Sequence, residues 1–233
     1  MNRKINKTKP KPQLTLLGGH IGYLAIKNIL DLFCCAGGAA VGLNRAFPDA
    51  KITGVDNKEQ KNYPFNFVLA DALEYDLSDY DFIWASPPCQ AYSEATPITT
   101  KGNHPKLIHI IREKLIKSGK PYIIENVEGA RRDLINPIML CGTMFGLKVW
   151  RHRYFETSFD IILTPMCNHI GHPVTINPPA NARKHQGKRD FEKEKKAMKI
   201  DWMNKNEISQ AIPPAYSEWL GNEYKRHISY IMG

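Results

Sequence analysis

No run of apolar residues in this 233-residue chain approaches the roughly 20 that a membrane-spanning helix needs, so no spanning segment is expected. The start lacks the secretory pattern of a charged opening, an apolar core and a small-residue cleavage site. Cysteine is sparse and odd in number: Cys34, Cys35, Cys89, Cys141 and Cys167. An odd set without a leader argues against a disulfide framework and for a reducing, cytoplasmic setting. Internal repeats and low-complexity tracts are missing, which excludes solenoids and fibrous architectures. Acid is in deficit, with 23 Asp and Glu against 32 Lys and Arg, a formal net charge of +9. That imbalance favours a polyanionic partner such as nucleic acid, although solubility accounts for part of it. With 42% hydrophobic residues the chain can still build one sizeable core.

Arg3, Lys4, Lys7, Lys9 and Lys11 make residues 1–12 a basic tail with no acid, and the lead-in to residue 27 carries no assignable role. From Asn28 the pattern becomes regular. Apolar runs predict strands over 29–33, 51–56, 67–71, 82–85 and 122–125, with a further short strand over 154–159. A small-residue turn from Cys34 opens a helix reaching about Ala46, and a second helix over 107–116 ends at Gly119. Strands and helices alternating at this pitch predict an α/β fold with a doubly wound, mostly parallel sheet of Rossmann-like type. Residues 158–204 form a small basic region, rich in Pro, Asn, His and Lys, with little to build a core. The last segment, 205–233, returns to helix, with Tyr216, Trp219, Leu220, Tyr224 and Ile228 at helical intervals. The expected divisions are therefore 1–27, 28–157, 158–204 and 205–233.

The strand over 82–85 runs into Ser86-Pro87-Pro88-Cys89-Gln90. Proline lacks the amide donor a sheet ladder needs and fixes its own φ, so the strand must stop there. A thiol on a stiff turn at the carboxyl end of a strand stands where open α/β sheets bind ligands. The bland alternative for Cys89 is a small buried hydrophobe. Gly37, Gly38 and Gly42 allow a ligand to approach the first strand-to-helix turn, although their spacing is not the dinucleotide fingerprint. Asp56 and Asp71, ending the second and third strands, suit ribose hydroxyls and an adenine amino group, and so an adenosine-containing cofactor. Glu125-Asn126-Val127 places a carboxyl at the end of an apolar strand, which is costly unless it has a partner. Arg151 and Arg153 alternate with His152 and should share one face of an extended segment.

Taken in order, Asp31-Leu32-Phe33 with Gly37-Gly38, then Pro87-Pro88-Cys89-Gln90, Glu125-Asn126-Val127 and Arg151-x-Arg153 resemble the DNA cytosine-5 methyltransferase family, especially its compact phage-type members. The resemblance covers residues 28–157 and, more loosely, 205–221. It implies Cys89 as nucleophile, Glu125 as acid and Arg153 as the ligand of the cytosine carbonyl. It also implies S-adenosylmethionine as cofactor, held by Phe33, Gly37, Gly38, Asp56, Asp71 and Ser86, with Pro87, Gln90, Asn126 and Arg151 toward the substrate. The implied reaction is methyl transfer to carbon 5 of cytosine, through a covalent cysteine adduct to a base flipped out of double-stranded DNA. The implied setting is a monomeric modification enzyme of phage or restriction-modification type, in the bacterial host cytoplasm if phage-encoded. An RNA cytosine-5 methyltransferase of the same fold, or a silent DNA-binding homologue, is the alternative.

This chain departs from the family pattern in four places. Cys35 stands where the family has glycine, and Val149 where it has glutamine. Gln210-Ala211-Ile212-Pro213-Pro214-Ala215 occupies the place of the closing Asn-Ser-Val motif. The recognition region is confined to about 158–204, which implies a short or relaxed target sequence. Cys167-Asn168-His169 with His172 has metal-ligand residues but no second cysteine pair nearby, so no metal is expected. Asn177-Pro178-Pro179-Ala180 resembles an amino-methyltransferase signature, yet lacks the aromatic residue after the prolines and reads as a loop.

Overall fold

The computed structural model describes residues 15–17, 20–22, 25–93, 96, 98–176 and 189–232. A small antiparallel pair, β1 (Thr15–Leu17) with β2 (His20–Gly22), precedes the main sheet. That sheet is built from β3 (Asn28–Leu32), β4 (Lys51–Asp56), β5 (Asn66–Leu69), β6 (Phe82–Ala85), β7 (Tyr122–Asn126), β8 (Ile138–Leu140) and β9 (Arg153–Thr157). Its spatial order is β5-β4-β3-β6-β7-β9-β8. Strands β3 to β7 are parallel, and β9 pairs antiparallel with both β7 and β8. The basic tail over 1–12 and the loop Asn177-Pro178-Pro179-Ala180 lie outside the described residues.

Alternation along the strands sorts side chains onto two faces. Ile29, Phe82, Trp84, Ile123 and Phe155 point to one, where α1 (Gly38–Ala46) and the long C-terminal helix (Pro214–Met232) supply Leu43, Tyr216, Leu220, Tyr224 and Ile228. Leu30, Leu32, Ile83, Ala85 and Ile124 point to the other. There the helix Ile108–Ser118 contributes Ile108, Ile111 and Leu115, all fully buried. Each such side chain stabilises the fold by about 1.5–3 kcal/mol relative to exposure. Gly119, at φ 68°, ends that helix in the left-handed conformation that glycine adopts at no steric cost.

The C-terminal helix approaches α1 backbone to backbone. A Cβ on Gly42 would overlap the Pro214 carbonyl and the Ser217 hydroxyl, and one on Gly38 would stand 2.5 Å from the Ile212 oxygen. Ser217 Oγ instead donates to the Ala39 carbonyl at 2.8 Å. Both glycines are therefore demanded by helix packing.

Residues 191–203 do build core, contrary to the compositional expectation. Ala197 and Met198 of the helix Phe191–Met198, with Ile200 and Met203, join Ala36, Leu147, Val149, Ile208 and Ala211 in a third apolar cluster. The lysines of this helix turn outward, and its buried Glu194 is held by Arg189 at 2.6 Å.

Candidate active site

Sheet register puts the candidate residues in one row. Leu32 pairs with Val55 on one side and Ala85 on the other, and Ala85 pairs with Ile124. One residue further along each strand come Asp56, Phe33, Ser86 and Glu125, level with each other at the carboxyl edge of four adjacent strands. Glu125 in turn pairs with Phe155 of β9. Arg153, two residues before Phe155, is thus a diagonal cross-strand neighbour of Glu125 on the same face. Its Nε lies 3.2 Å from Glu125 Oε1.

Cys89 follows three residues after Ser86, on the turn the two prolines impose. Its carbonyl accepts from Tyr92 N at 2.9 Å and Ser93 N at 2.8 Å, which closes the turn behind the thiol. Asn126, 1% exposed, donates through Nδ2 to the Pro87 carbonyl at 2.9 Å and accepts Val127 N at 2.9 Å. The end of β7 thereby clamps the cysteine turn. Trp84 Nε1 donates to Ser86 Oγ at 2.8 Å. Gln90, next to the thiol, is exposed.

Arg151 is secured from the C-terminal segment. Its terminal nitrogen donates to the Ser209 carbonyl at 2.7 Å, and Tyr216 Oη donates to the Arg151 carbonyl at 2.5 Å. Its Nε is buried with no hydrogen-bond partner among the described residues. Ser209 and Tyr216 are supports that sequence reading missed; Tyr216 was visible only as one of a row of apolar helix positions.

The electrostatics of these groups are mutually dependent. Burial pushes the Cys89 thiol up, the Glu125 carboxylate pushes it further, and Arg153 and then Arg151 oppose both. Burial also raises Glu125, against Arg153, the Ser86 hydrogen bond and Arg151. Arg151 is pushed down to about 9 by burial first and by Arg153 second. A guanidinium does not deprotonate inside a protein, so this marks a buried cation short of negative partners.

The other half of the row faces the first strand-to-helix turn. Phe33 (φ 57°), Cys35 (φ 44°) and Gly37 (φ 80°) all take left-handed backbone, curling the chain at the carboxyl end of β3. Left-handed non-glycine residues carry strain and gather at functional turns. Asp56 Oδ2 accepts Cys35 N at 3.1 Å and its Oδ1 accepts Lys58 N at 3.0 Å, so each oxygen keeps acceptor capacity. Asp71 is exposed just past β5 and accepts Leu73 N at 2.9 Å. Trp202 Nε1 donates to the Ala36 carbonyl at 2.8 Å, and Gln210 Oε1 lies 3.9 Å from Cys35 Sγ. The segment standing in place of the closing motif therefore covers this turn.

The sheet is a parallel wing with one reversed strand, β9, inserted between β7 and β8, a doubly wound α/β arrangement whose ligand edge lies at the strand ends. Residues 27–133 match the model of the C-5 cytosine-specific DNA methylase family. The matched stretch includes Cys89 and Glu125 and stops before Arg151. Among solved structures, the Entamoeba histolytica methyltransferase EhMeth is 22% identical, with 64% of this chain and 57% of that chain covered and a TM-score of 0.44. An RNA methyltransferase from Salinibacter ruber, solved with S-adenosyl-L-homocysteine, is 14% identical over 61% of this chain and 87% of that one, with a TM-score of 0.37. No curated protein matches. No helix among the described residues is long and apolar enough to cross a membrane.

Proposed function

We propose that the protein transfers a methyl group from S-adenosylmethionine to carbon 5 of cytosine in double-stranded DNA. The observation that carries this reading is the single row in which Asp56, Phe33, Ser86 and Glu125 stand level, with Cys89 and Arg153 at its Glu125 end. The residues fit the cofactor. Asp56 retains acceptor sites for ribose hydroxyls, Asp71 stands one strand further out for an exocyclic amine, and Phe33 offers a half-buried ring. Phe33, Gly37, Gly38, Asp56, Asp71 and Ser86 would hold it. When bound, it supplies an electrophilic methyl group.

Carbon 5 of cytosine is too weak a nucleophile to take that methyl unaided. Addition of the Cys89 thiolate to carbon 6, with Glu125 supplying a proton to ring nitrogen 3, gives carbon 5 enamine character. A Glu125 carboxyl raised by burial is suited to carry that proton. Arg153 holds the ring carbonyl and offsets charge developing there. After methylation a base removes the proton from carbon 5, the Cys89–carbon 6 bond breaks to return the thiolate, and ring nitrogen 3 returns its proton to Glu125. Carbon 6 is hidden in a stacked duplex, so the nucleotide must be flipped out at a cost of a few kcal/mol. Pro87, Gln90, Asn126 and Arg151 form the substrate side. Residues 158–204 would clamp the DNA backbone with their lysines and arginines and read few bases. The protein would act as a monomer in the cytoplasm of a bacterial host, marking DNA as a phage or restriction-modification type enzyme does.

Tritiated methyl incorporation into DNA and RNA tests the reading directly. Wild type should label DNA alone, and Cys89→Ala should bind DNA without labelling it. Labelling of RNA instead, or 5-methylcytosine formed by Cys89→Ala, would overturn it. Bisulfite sequencing of host DNA after expression would then give the target sequence.

A further inference from the structure

Four side chains from three separate places in the sequence converge beside the arginine strand. Cys141 directly follows β8, His152 lies between Arg151 and Arg153, and Cys167 and His169 lie in the basic region after β9. Their ligand atoms all lie within 4.8 Å of one another. Cys167 Sγ is 2.9 Å from His169 Nε2 and 3.5 Å from His152 Nε2. His169 Nε2 is 3.2 Å from His152 Nε2 and 3.3 Å from Cys141 Sγ. We propose that these four residues bind a structural zinc ion.

The geometry supports zinc in particular. Zinc–sulfur bonds of about 2.3 Å and zinc–nitrogen bonds of about 2.0 Å place tetrahedral ligand atoms roughly 3.3–3.8 Å apart. The separations of 3.2, 3.3 and 3.5 Å match that range closely, and the Cys167–His169 contact at 2.9 Å is shorter than it. Two thiols and two imidazoles are the donor set that selects a borderline-soft cation, and four protein ligands leave no open position for catalysis. Two imidazole Nε2 atoms face each other at 3.2 Å, where two lone pairs would repel, and one cation takes a lone pair from each of the four ligand atoms. The surroundings also match a built site. Thr143 Oγ1 donates to Cys141 Sγ at 3.3 Å and accepts Asn168 N at 3.2 Å, and Trp150 stacks on His169 with centroids 4.4 Å apart. His172 is exposed and stands outside the group.

The ion would do what apolar packing does elsewhere. Ile162, Leu163, Met166 and Ile170 are 77–89% exposed, so the segment leaving β9 has little core to hold it. A zinc site would tie that segment to β8 and to the peptide that carries both arginines.

Metal analysis of the purified, reduced protein should find about one zinc per chain. Cys167→Ser and His169→Ala should each lose most of it, while Cys89→Ser keeps it in full. His169→Cys should retain the metal as a three-thiolate site, which loss of folding alone would not permit. Cobalt(II) in place of zinc should show the visible bands of tetrahedral thiolate ligation, with the thiolate charge-transfer band stronger in His169→Cys. The proposal fails if zinc added to the reduced protein is lost on desalting. It fails equally if reduced preparations contain a Cys141–Cys167 disulfide, or if Cys167→Ser binds as much zinc as wild type.

Discussion

Strand β9 carries Arg153 toward the thiol, and its opposite face is held by one buried ion pair whose removal should be costly. Glu156, 2% exposed, accepts Arg112 Nε at 2.7 Å and the Arg112 terminal nitrogen at 2.6 Å. It also accepts Ile135 N at 2.7 Å and Tyr122 Oη at 3.3 Å, while Arg112 donates to the Asp133 carbonyl at 2.6 Å. Four bonds to one carboxylate mean that Glu156→Ala leaves an amide, a phenol and a guanidinium without their acceptor. Breaking a buried pair from one side costs about 3–5 kcal/mol, chiefly because the remaining charge is stranded. For a chain of this size each kcal/mol lowers Tm by about 2–4 °C, so the expected drop is roughly 6–20 °C. Thermal and urea unfolding followed by circular dichroism would measure it. The double variant Arg112→Leu/Glu156→Leu strands no charge and should recover a large part of the loss. A single-variant cost under about 1 kcal/mol, or a double variant whose loss equals the sum of the singles, would refute the reasoning.

Glu125→Gln should cut methyl transfer by about 10²–10⁴-fold while speeding alkylation of Cys89 by iodoacetamide at fixed pH, because the carboxylate that raises the thiol is gone. Arg153→Met should slow the same alkylation; peptide mapping separates Cys89 from the other cysteines. Glu125 is raised in the folded state, so the native protein holds that proton more tightly than the unfolded chain. Its contribution to stability is therefore full below the ordinary glutamate range and declines as pH rises through the folded value. Denaturant titrations should accordingly show Glu125→Gln gaining on wild type from acid toward neutral pH. Asn126→Ala should lower kcat more than stability, since it releases the Pro87 carbonyl and with it the aim of the thiol; the expected stability loss is about 1–3 kcal/mol. Gly42→Ala should cost about 1–3 kcal/mol or more in urea unfolding, because its methyl group meets the backbone of the C-terminal helix.

The parallel wing was legible because each of its strands is a short apolar run closed by a turn residue or an acid. Strand β8 was not, for Ile138–Leu140 has three residues, and its partner β9 lies beyond an intervening turn. That Asp56 and Glu125 end strands could be read; that they stand level with Phe33 and Ser86 required the register. The core contribution of residues 191–203 was hidden by lysines, since overall composition conceals a narrow buried stripe. Val149, where the resemblance leads one to expect glutamine, is 1% exposed among Leu147, Ala197 and Met198, a setting without a partner for an amide. The Cys141, His152, Cys167 and His169 group could not be found by spacing, because three strand-edge segments must fold together before the ligands meet.

The proposed reaction needs Cys89 ionised and Glu125 protonated at the same moment. Each group is raised by burial, and the Glu125 carboxylate raises Cys89 further, so the two titrate as a pair rather than separately. Moving a proton from the thiol to the carboxylate leaves the net charge of the site unchanged, and it removes the negative neighbour that opposed ionisation. Arg153 and Arg151 favour the anion on either group, and Arg151 Nε has no partner among the described residues. A cytosine ring carbonyl reaching Arg153 would compete with Glu125 for that guanidinium, weakening an ion pair that favours the charged carboxylate. Base entry would therefore shift the shared proton toward Glu125 and the charge toward the thiol, so that the nucleophile forms when there is a carbon 6 to attack.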